Sequence, residues 1–311
     1  MSTKILVCDP IHQDGIAMLK SSGCDVSVET DLTPDRLVEV IPQFEAIVVR
    51  GRTKVTDAVI SAGTKLRAIA RSGVGLDNID LESARKKSIQ IISTPAAPTT
   101  SVAELTVGLA LTVLRKIAFA DEAMKDGRWA KSELIGHELK GKTVGVVGAA
   151  GRIGLEVARI CLQGFMANVT GYDVLDLTEK ARSVGFRAVK RLEDLLTESD
   201  IVTIHVPYFP STHHLINAKA ISMMKPSAII INPSRGDIVD GEALLDALRA
   251  GKLSGAGLDV FHKEPPTDEW EKELTKLHNV VCTPHIGAQT LECQRLESTM
   301  VAEELIRSLK S

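Results

Sequence analysis

The sequence is poor in features that mark several classes of protein. Aromatic residues make up only 3% of its 311 residues, and acids and bases are interspersed at a net charge of −3. Neither a base-stacking surface nor a basic stripe for nucleic acid is therefore expected. The apolar stretch at 104–120 is broken by Glu104, Arg115 and Lys116, and it falls short of the ~20 apolar residues that a membrane span needs. We expect neither nucleic acid nor a membrane among the partners.

Cysteine is also sparse, and its spacing carries no chemical signature. The five cysteines are scattered and none forms a Cys-x-x-Cys pair, so neither a disulfide framework nor a zinc site is indicated. The apolar run near the N-terminus is too short for the core of a signal peptide. We expect mostly buried thiols, no bound metal and a cytoplasmic protein.

Short apolar runs alternate with helical stretches along most of the chain. This alternation predicts βα units around parallel sheets, and the chain length favours about two such units. The runs lie at 4–8, 46–50, 66–71 and 89–93 in the first unit, and at 143–148, 168–173, 201–207, 228–232, 255–260 and 279–284 in the second. A long helix at 101–125, with Ser101 and Glu104 as a capping box, is expected to lead from one unit to the other. A last helix at 290–310 is expected to pack on the first unit.

A glycine-rich turn, VVGAAGRIG at 146–154, follows the first run of the second unit. It resembles a dinucleotide-binding loop but has one residue more than G-x-G-x-x-G. Either Gly148 keeps the role of the first glycine and the turn bulges, or Ala149 takes that place and Gly151 approaches the pyrophosphate. The spacing of Gly151 and Gly154 favours the second arrangement. Asp173, at the end of the next run, is placed to bind the adenine ribose and to favour NAD over NADP.

Ionisable residues follow three later runs of the second unit. Arg235, Asp259 with Glu264, and His285 each come just after a predicted strand. Ligands bind beyond the carboxyl ends of parallel strands, so these four side chains can converge on one crevice. A histidine suits the removal of a hydroxyl proton near neutral pH, a carboxylate orients its ring, and an arginine binds a substrate carboxylate. The set predicts hydride transfer from a 2-hydroxy acid.

The first unit carries a second candidate site for anions. Gly73-Val74-Gly75 follows a predicted strand, and consecutive N–H groups in such a turn can form an anion nest. Arg50 and Arg71 end two of the predicted strands of this unit, and Arg71 comes just before the turn. Arg52 is equally compatible with a place at this site and with a solvated surface position. The arginines indicate a substrate that carries more negative charge than one carboxylate.

Nearly the whole chain resembles the D-isomer-specific 2-hydroxyacid dehydrogenases. The likeness rests on six segments, RSGVGLDNID, SVAELTVGLAL, GKTVGVVG, NPSRGDIVDGEALLDAL, GLDVFHKEPP and TPHIGAQT. The resemblance implies that Arg235 is the catalytic arginine, that His285 is the acid/base and that Glu264 is its partner. It implies NAD as cofactor, bound by Val74, Gly148, Gly151, Arg152, Ile153, Gly154, Asp173, His205, Val206, Pro207, Pro233, Ser234, Arg235, Asp259, His285 and Gly287. The substrate residues implied are Arg50, Arg71, Ser72, Gly73, Val74, Gly75, Lys131, Arg235 and His285.

The same resemblance implies a fold and a substrate. The expected α/β fold has two Rossmann-like, doubly wound domains. A nucleotide domain at 98–284 is inserted into a flavodoxin-like substrate domain at 1–97 and 285–311, with homodimerisation through the nucleotide domain. The implied form lacks the regulatory C-terminal domain of longer relatives and its serine feedback.

Within the family, the likeness is strongest to members that oxidise D-3-phosphoglycerate to 3-phosphohydroxypyruvate for serine synthesis. Two other readings stay open. One is a hydroxypyruvate or glyoxylate reductase on the same scaffold. The other is a dinucleotide-gated interaction protein resembling the C-terminal-binding corepressors, which keep similar catalytic residues.

Overall fold

Strands and helices alternate along the chain in the computed structural model, which describes residues 2–310. The strands are β1 Lys4–Val7, β2 Asp25–Val28, β3 Ala46–Val49, β4 Ala68–Arg71, β5 Gln90–Ser93, β6 Thr143–Val147, β7 Asn168–Tyr172, β8 Arg187–Ala188, β9 Ile201–Ile204, β10 Ile229–Asn232, β11 Gly255–Leu258 and β12 Val280–Cys282. The α-helices are α1 Gln13–Ser21, α2 Pro34–Val40, α3 Asp57–Ala62, α4 Leu81–Lys86, α5 Thr99–Leu114, α6 Ile117–Lys125, α7 Arg152–Phe165, α8 Thr178–Val184, α9 Leu192–Glu198, α10 Ala218–Ser222, α11 Gly241–Arg249, α12 Glu269–Leu274 and α13 Leu291–Lys310.

The chain divides into two units, and the second is inserted into the first. The first unit holds the residues up to Pro98 and those from Ala288 onward, and the second holds Thr99–Gly287. The first junction lies one residue later than the predicted boundary and the second lies three residues later. His285 therefore belongs to the second unit, because its backbone N–H donates to the carbonyl of Asp259 beyond β11.

The first unit is built on a parallel sheet of five strands in the order β2-β1-β3-β4-β5. Its central strands are apolar on both sides, as expected for strands covered by helices on each face. One core includes Leu37 of α2 and Ile60 of α3, and the opposite core includes Leu19 of α1 and Leu305 of α13. The last helix thus returns to the first unit, as the sequence predicts.

The second unit is built on a parallel sheet of seven strands in the order β12-β11-β10-β9-β6-β7-β8. Helices cover both faces with separate apolar cores, and α5 packs against β10, β11 and α7 on one of them. The strand order reverses between β6 and β9, so the turn after β6 lies where doubly wound sheets open a crevice. The fold class predicted from the sequence is confirmed.

The predicted helix at 101–125 is wrong in two respects. The structure begins α5 at Thr99, so Ser101 is buried inside the helix and is not its N-cap. The helix also ends at Leu114, and α6 starts after Lys116, whose backbone is left-handed with φ 52°. The stretch is apolar enough for one long helix, but this single backbone conformation divides it.

The cysteines agree with the expectation of buried thiols in most positions. All five are free, and Cys8, Cys161 and Cys293 are buried. Burial raises the pKa of Cys161 to about 12, and burial with the nearby acids Asp9 and Glu29 does the same for the pKa of Cys8. In the part of the chain from residue 2 to 310, no helix is both long and apolar enough to cross a membrane.

Candidate functional site

The turn after β6 depends on glycine at its first and last glycine positions. Gly148 has φ +90°, and a Cβ there would lie 2.7 Å from the carbonyl carbon and oxygen of His205. Gly154 lies in the first turn of α7, where a Cβ would lie 2.4 Å from the carbonyl oxygen of Gly148. Gly148 therefore makes the tight turn, and Gly154 allows α7 to approach the strand closely.

The extra residue of the loop forms a bulge behind Gly148. The N–H groups of Gly148 and Ala149 both donate to the carbonyl oxygen of Tyr172, at 2.9 and 3.2 Å. Ala149 is fully buried and packs over Gly171, so its side chain points into the core. Gly148, and not Ala149, therefore holds the place of the first glycine, while the approach of Gly151 to the pyrophosphate stays a prediction.

Asp173 at the end of β7 is joined to this bulge. Its Oδ2 accepts from the N–H of Ala150 at 2.9 Å, and its Oδ1 accepts from the N–H of Leu175 at 3.0 Å. A carboxylate has about four acceptor positions, so two remain for further donors such as ribose hydroxyls. The bulged turn, through the N–H of Ala150, thus helps to orient Asp173, the acid that the sequence assigned to the ribose.

The start of α7 fits the pyrophosphate of a dinucleotide. Gly151 is the N-cap of this 14-residue helix and no side chain caps it, so the first N–H groups of α7 are available to an anion. His205, beyond β9, presents a ring Nε2 that has no access to water and no hydrogen-bond partner among residues 2–310. Burial lowers the pKa of His205 to about 3, so the ring is neutral. A buried histidine nitrogen without a partner among these residues, together with a helix start that no side chain caps, fits a polar ligand at this edge.

The other predicted cofactor residues follow the strand ends at the same edge of the second sheet. Val206 is half-buried and Pro207 exposed after β9, while Pro233 is buried after β10. Arg152 and Ile153 open α7. Val74 is the exception, because it belongs to the first unit and is 42% exposed there.

The loop after β10 holds Arg235 through a buried asparagine. Asn232 accepts from the N–H and the hydroxyl of Ser234, at 3.1 and 2.7 Å, and donates to the carbonyl of Arg235 at 2.9 Å. Arg235 donates to the carbonyl of Ser234 at 2.7 Å and interacts electrostatically with Glu264. The structure therefore brings two of the predicted catalytic side chains together.

Asp259 holds the segment that carries His285. Its fully buried carboxylate accepts from the hydroxyl of Thr283 at 2.6 Å and from the N–H groups of Ile286 and Gly287, each at 2.8 Å. The sequence assigned Asp259 to the nicotinamide carboxamide, but three of its acceptor positions serve this loop. The carboxylate thus holds the segment that carries His285, and one acceptor position on Oδ2 remains for a further donor, so the assignment to the carboxamide stays a prediction.

His285 and Glu264 form a direct pair. The Nδ1 of His285 donates to the Oε2 of Glu264 at 2.7 Å, which leaves Nε2 as the nitrogen that can exchange a proton with a substrate. Burial raises the pKa of the Glu264 carboxyl, but His285, the N–H of Phe261 and the charge of Arg235 outweigh it, so the pKa lies below its usual value. His285 itself adopts a left-handed backbone with φ 54°, a strained conformation that such sites often contain.

The first unit contains the second group of predicted residues. Arg50 follows β3, and its backbone N–H donates to the buried carboxylate of Asp9 at 2.5 Å. The guanidinium of Arg71 lies against Gly73, where a Cβ would be 1.4 Å from its Nη1. Arg52 is 60% exposed, with Nε 3.6 Å from the buried carboxylate of Asp9 and Nη1 3.8 Å from the exposed Asp31.

One of the three N–H groups of the predicted anion nest, together with that of Ser72 before it, is already engaged within the protein. The N–H of Ser72 donates to the carbonyl of Val49 at 2.8 Å, and that of Gly73 donates to the hydroxyl of Thr94 at 2.9 Å. Among residues 2–310, no hydrogen bond engages the N–H groups of Val74 and Gly75. These two groups are therefore the donors left for a substrate carboxylate.

Two further observations concern residues around this group. Lys131, predicted to bind substrate, lies exposed in the second unit, whereas Arg50 and Arg71 belong to the first unit. Glu297 of α13 was not predicted, yet its carboxylate is buried, with Oε2 lying 3.7 Å from Nε of Arg50. Its helix is far along the chain from β3, so no local spacing could have indicated this contact.

The chain is similar to known proteins over nearly all of its length. Residues 107–287 match the family model of the D-isomer specific 2-hydroxyacid dehydrogenase, NAD binding domain. A D-3-phosphoglycerate dehydrogenase of Methanocaldococcus jannaschii is 44% identical over 99% of this chain, which spans only 57% of that relative. A hydroxypyruvate reductase of Thermotoga maritima is 42% identical over 98% of both chains.

A solved structure supports the same relationship. The TT0316 protein of Thermus thermophilus superposes with a TM-score of 0.90 at 32% identity, over 99% of this chain and 97% of that one. The whole architecture described above, with both units, is therefore shared with an experimental structure.

Proposed function

The chain belongs to the D-isomer specific 2-hydroxyacid dehydrogenases, and from this premise we propose that it interconverts a D-2-hydroxy acid and the corresponding 2-oxo acid with NAD. The observation that carries the proposal is the His285–Glu264 pair at 2.7 Å, with Arg235 close enough to act on the same carboxylate. These three side chains supply a proton acceptor, its orienting partner and a fork for the substrate carboxylate. Bound NAD supplies the acceptor for the hydride.

The residues divide the chemistry between them. As the hydride leaves C2 with its bonding electrons, the hydroxyl proton passes to Nε2 of His285 and the carbon–oxygen double bond forms. Glu264 keeps the ring in the tautomer with the proton on Nδ1 and stabilises the imidazolium. Arg235 polarises the forming carbonyl and holds the carboxylate. In the reverse direction His285 returns the proton.

We propose D-3-phosphoglycerate as the substrate, in a reaction that leads to serine. Arg50 and Arg71 of the first unit support this, because both act electrostatically on the same carboxyl, that of Glu297. Together they carry more positive charge than one substrate carboxylate requires. The similarity to hydroxypyruvate reductase over the full length of both chains favours a second candidate, reduction of an unphosphorylated 2-oxo acid.

Initial rates separate these candidates. We expect turnover of D-3-phosphoglycerate with NAD, lost in His285→Ala while NAD still binds, and retained in the control His213→Ala, an exposed histidine. Arg50→Ala or Arg71→Ala is expected to raise KM for D-3-phosphoglycerate and to spare D-lactate, whereas Arg36→Ala on the exposed face of α2 changes neither. No turnover of any hydroxy acid, together with NAD-dependent binding of a protein partner, would contradict an enzymatic role.

We further propose a homodimer formed through the second unit. Trp129 and Ile135 are 78% and 81% exposed, and Ile135 lines a groove of about 560 Å³ together with Phe119 and Val281. Large apolar side chains exposed beside a groove are typical of an interface. Light scattering is expected to give the dimer mass, and Trp129→Asp with Ile135→Asp the monomer mass. Leu291→Asp, an equally exposed control in the first unit, is expected to remain dimeric.

A further inference from the structure

A buried acid accompanies the arginines of the first unit. The side chain of Glu297 is 3% exposed, and its Oε2 lies 3.7 Å from Nε of Arg50. Arg71 acts electrostatically on the same carboxyl, and the thiol of Cys293 one turn earlier on α13 hydrogen-bonds it. Glu297, Arg50 and Arg71 therefore form one charge cluster inside the first unit.

Glu297 differs from the other buried acid near this cluster. Asp9 accepts from the N–H groups of Arg50 and Thr53 and from the hydroxyl of Thr53, so its charge holds the backbone after β1 and β3. Among residues 2–310, no backbone N–H of this kind donates to Glu297, and the 3.7 Å between its Oε2 and Nε of Arg50 is longer than a hydrogen bond. Burial raises the pKa of Glu297 by more than Arg50, Arg71 and Cys293 lower it. Its surroundings therefore favour the ionised carboxylate less than water does.

Charge arithmetic shows what this acid does to the cluster. Arg50 and Arg71 bring two positive charges to the cluster, and the Glu297 carboxylate, when ionised, cancels one of them, while the neighbouring pair of Arg52 and Asp9 adds no net charge. A phosphate group, with between one and two negative charges near neutral pH, loses more attraction from this reduction than an uncharged hydroxymethyl group does.

We propose that Glu297 is a specificity-determining residue that offsets one arginine charge and narrows the preference for phosphorylated over unphosphorylated three-carbon hydroxy acids. The inference rests on the proposed function, because it takes Arg50 and Arg71 as the groups that meet the distal end of the substrate.

The test removes the charge and keeps the shape. In Glu297→Gln, KM for D-3-phosphoglycerate and the inhibition constant of inorganic phosphate are each expected to fall at least about tenfold, the size expected for one charge ~10 Å away at an effective dielectric constant of ~20. KM for D-glycerate is expected to stay unchanged. Glu303→Gln on the exposed side of the same helix is the matched control and should change none of these constants. Glu297→Met, of similar length, replaces Glu297→Gln if that variant is unstable.

The outcomes are distinct. Unchanged constants for phosphate and D-3-phosphoglycerate in both variants would overturn the inference. A rise in KM for D-3-phosphoglycerate would also overturn it, since Glu297 would then support the arginines and not oppose their charge. If wild-type protein turns over hydroxypyruvate but never D-3-phosphoglycerate, the proposed substrate fails, while phosphate inhibition of hydroxypyruvate reduction still tests Glu297.

Discussion

Replacing Asp259 by asparagine should loosen the segment that carries His285, the proposed acid/base, without changing that residue. The carboxylate of Asp259 is fully buried and accepts three hydrogen bonds, from Thr283, Ile286 and Gly287. Asparagine has nearly the same shape but only one acceptor oxygen. If that oxygen keeps the two bonds at Oδ1, the amide nitrogen then faces the N–H of Gly287, which loses its partner.

The expected loss follows from this geometry. A hydrogen bond to a buried charged group contributes about 1.5–3 kcal/mol, so we expect destabilisation of about 2 kcal/mol. For a unit of this size that corresponds to a fall in Tm of about 4–8 °C. The left-handed backbone of His285 costs about 1–3 kcal/mol and persists only while its surroundings hold it, so kcat is expected to fall at least about tenfold. KM for NAD should change less, because Asp173 and the glycine loop remain intact.

Calorimetry and initial rates with saturating NAD measure both effects. Asp121→Asn is the matched control, because that acid is 59% exposed in a surface pair with Lys125. It is expected to change Tm little. Equal small shifts in both variants would refute the reasoning about buried acceptors. A clear loss of stability in Asp259→Asn with unchanged kcat would refute the link between this carboxylate and His285.

Three further predictions concern neighbouring residues. Gly148→Ala should weaken NAD binding by at least about tenfold in a fluorescence titration, because its φ of +90° and the His205 carbonyl leave no room for Cβ; unchanged affinity would contradict the described turn. Asp173→Ala should improve kcat/KM with NADP relative to NAD, since a carboxylate repels the 2′-phosphate, and a constant ratio would exclude that role. The depressed pKa of Glu264 should stabilise the folded state above the pKa of the unfolded chain, and this contribution should disappear as pH falls through the folded pKa. Urea unfolding should therefore show wild type and Glu264→Gln converging in acid; a constant difference across that range would argue against the pairing with His285.

The repeating features of the fold could be predicted from local sequence. Ten of the twelve strands in the described chain correspond to apolar runs, and their ends carry the predicted Arg235, Glu264 and His285. The runs overestimate strand length by one to three residues, because the predicted runs extend past the residues that pair in the sheet. The edge strands β2 and β8 were missed, since DVSV is only partly buried and Arg187–Ala188 is exposed.

The remaining features depend on contacts between distant segments. The side chain of Ala149 fits into the core because Gly171 on the neighbouring strand has no side chain. The carboxylate of Asp259 is engaged by N–H groups nearly 30 residues further along the chain. Glu297 meets Arg50 only because α13 returns to the first sheet. Ser101 and Glu104 match the capping-box pattern in sequence, but the helix begins two residues earlier, at Thr99, so Ser101 does not cap it. Residue spacing alone contains none of this information.

The central claim is direct hydride transfer from C2 of the hydroxy acid to NAD, with His285 taking the hydroxyl proton. D-3-phosphoglycerate carrying deuterium at C2 tests it in one reaction with NAD, followed by mass spectrometry of the recovered nucleotide. We expect the reduced nucleotide to carry the deuterium, and we expect His285→Ala to form none of it. Reduced nucleotide without deuterium, or deuterium released to water, would contradict direct transfer.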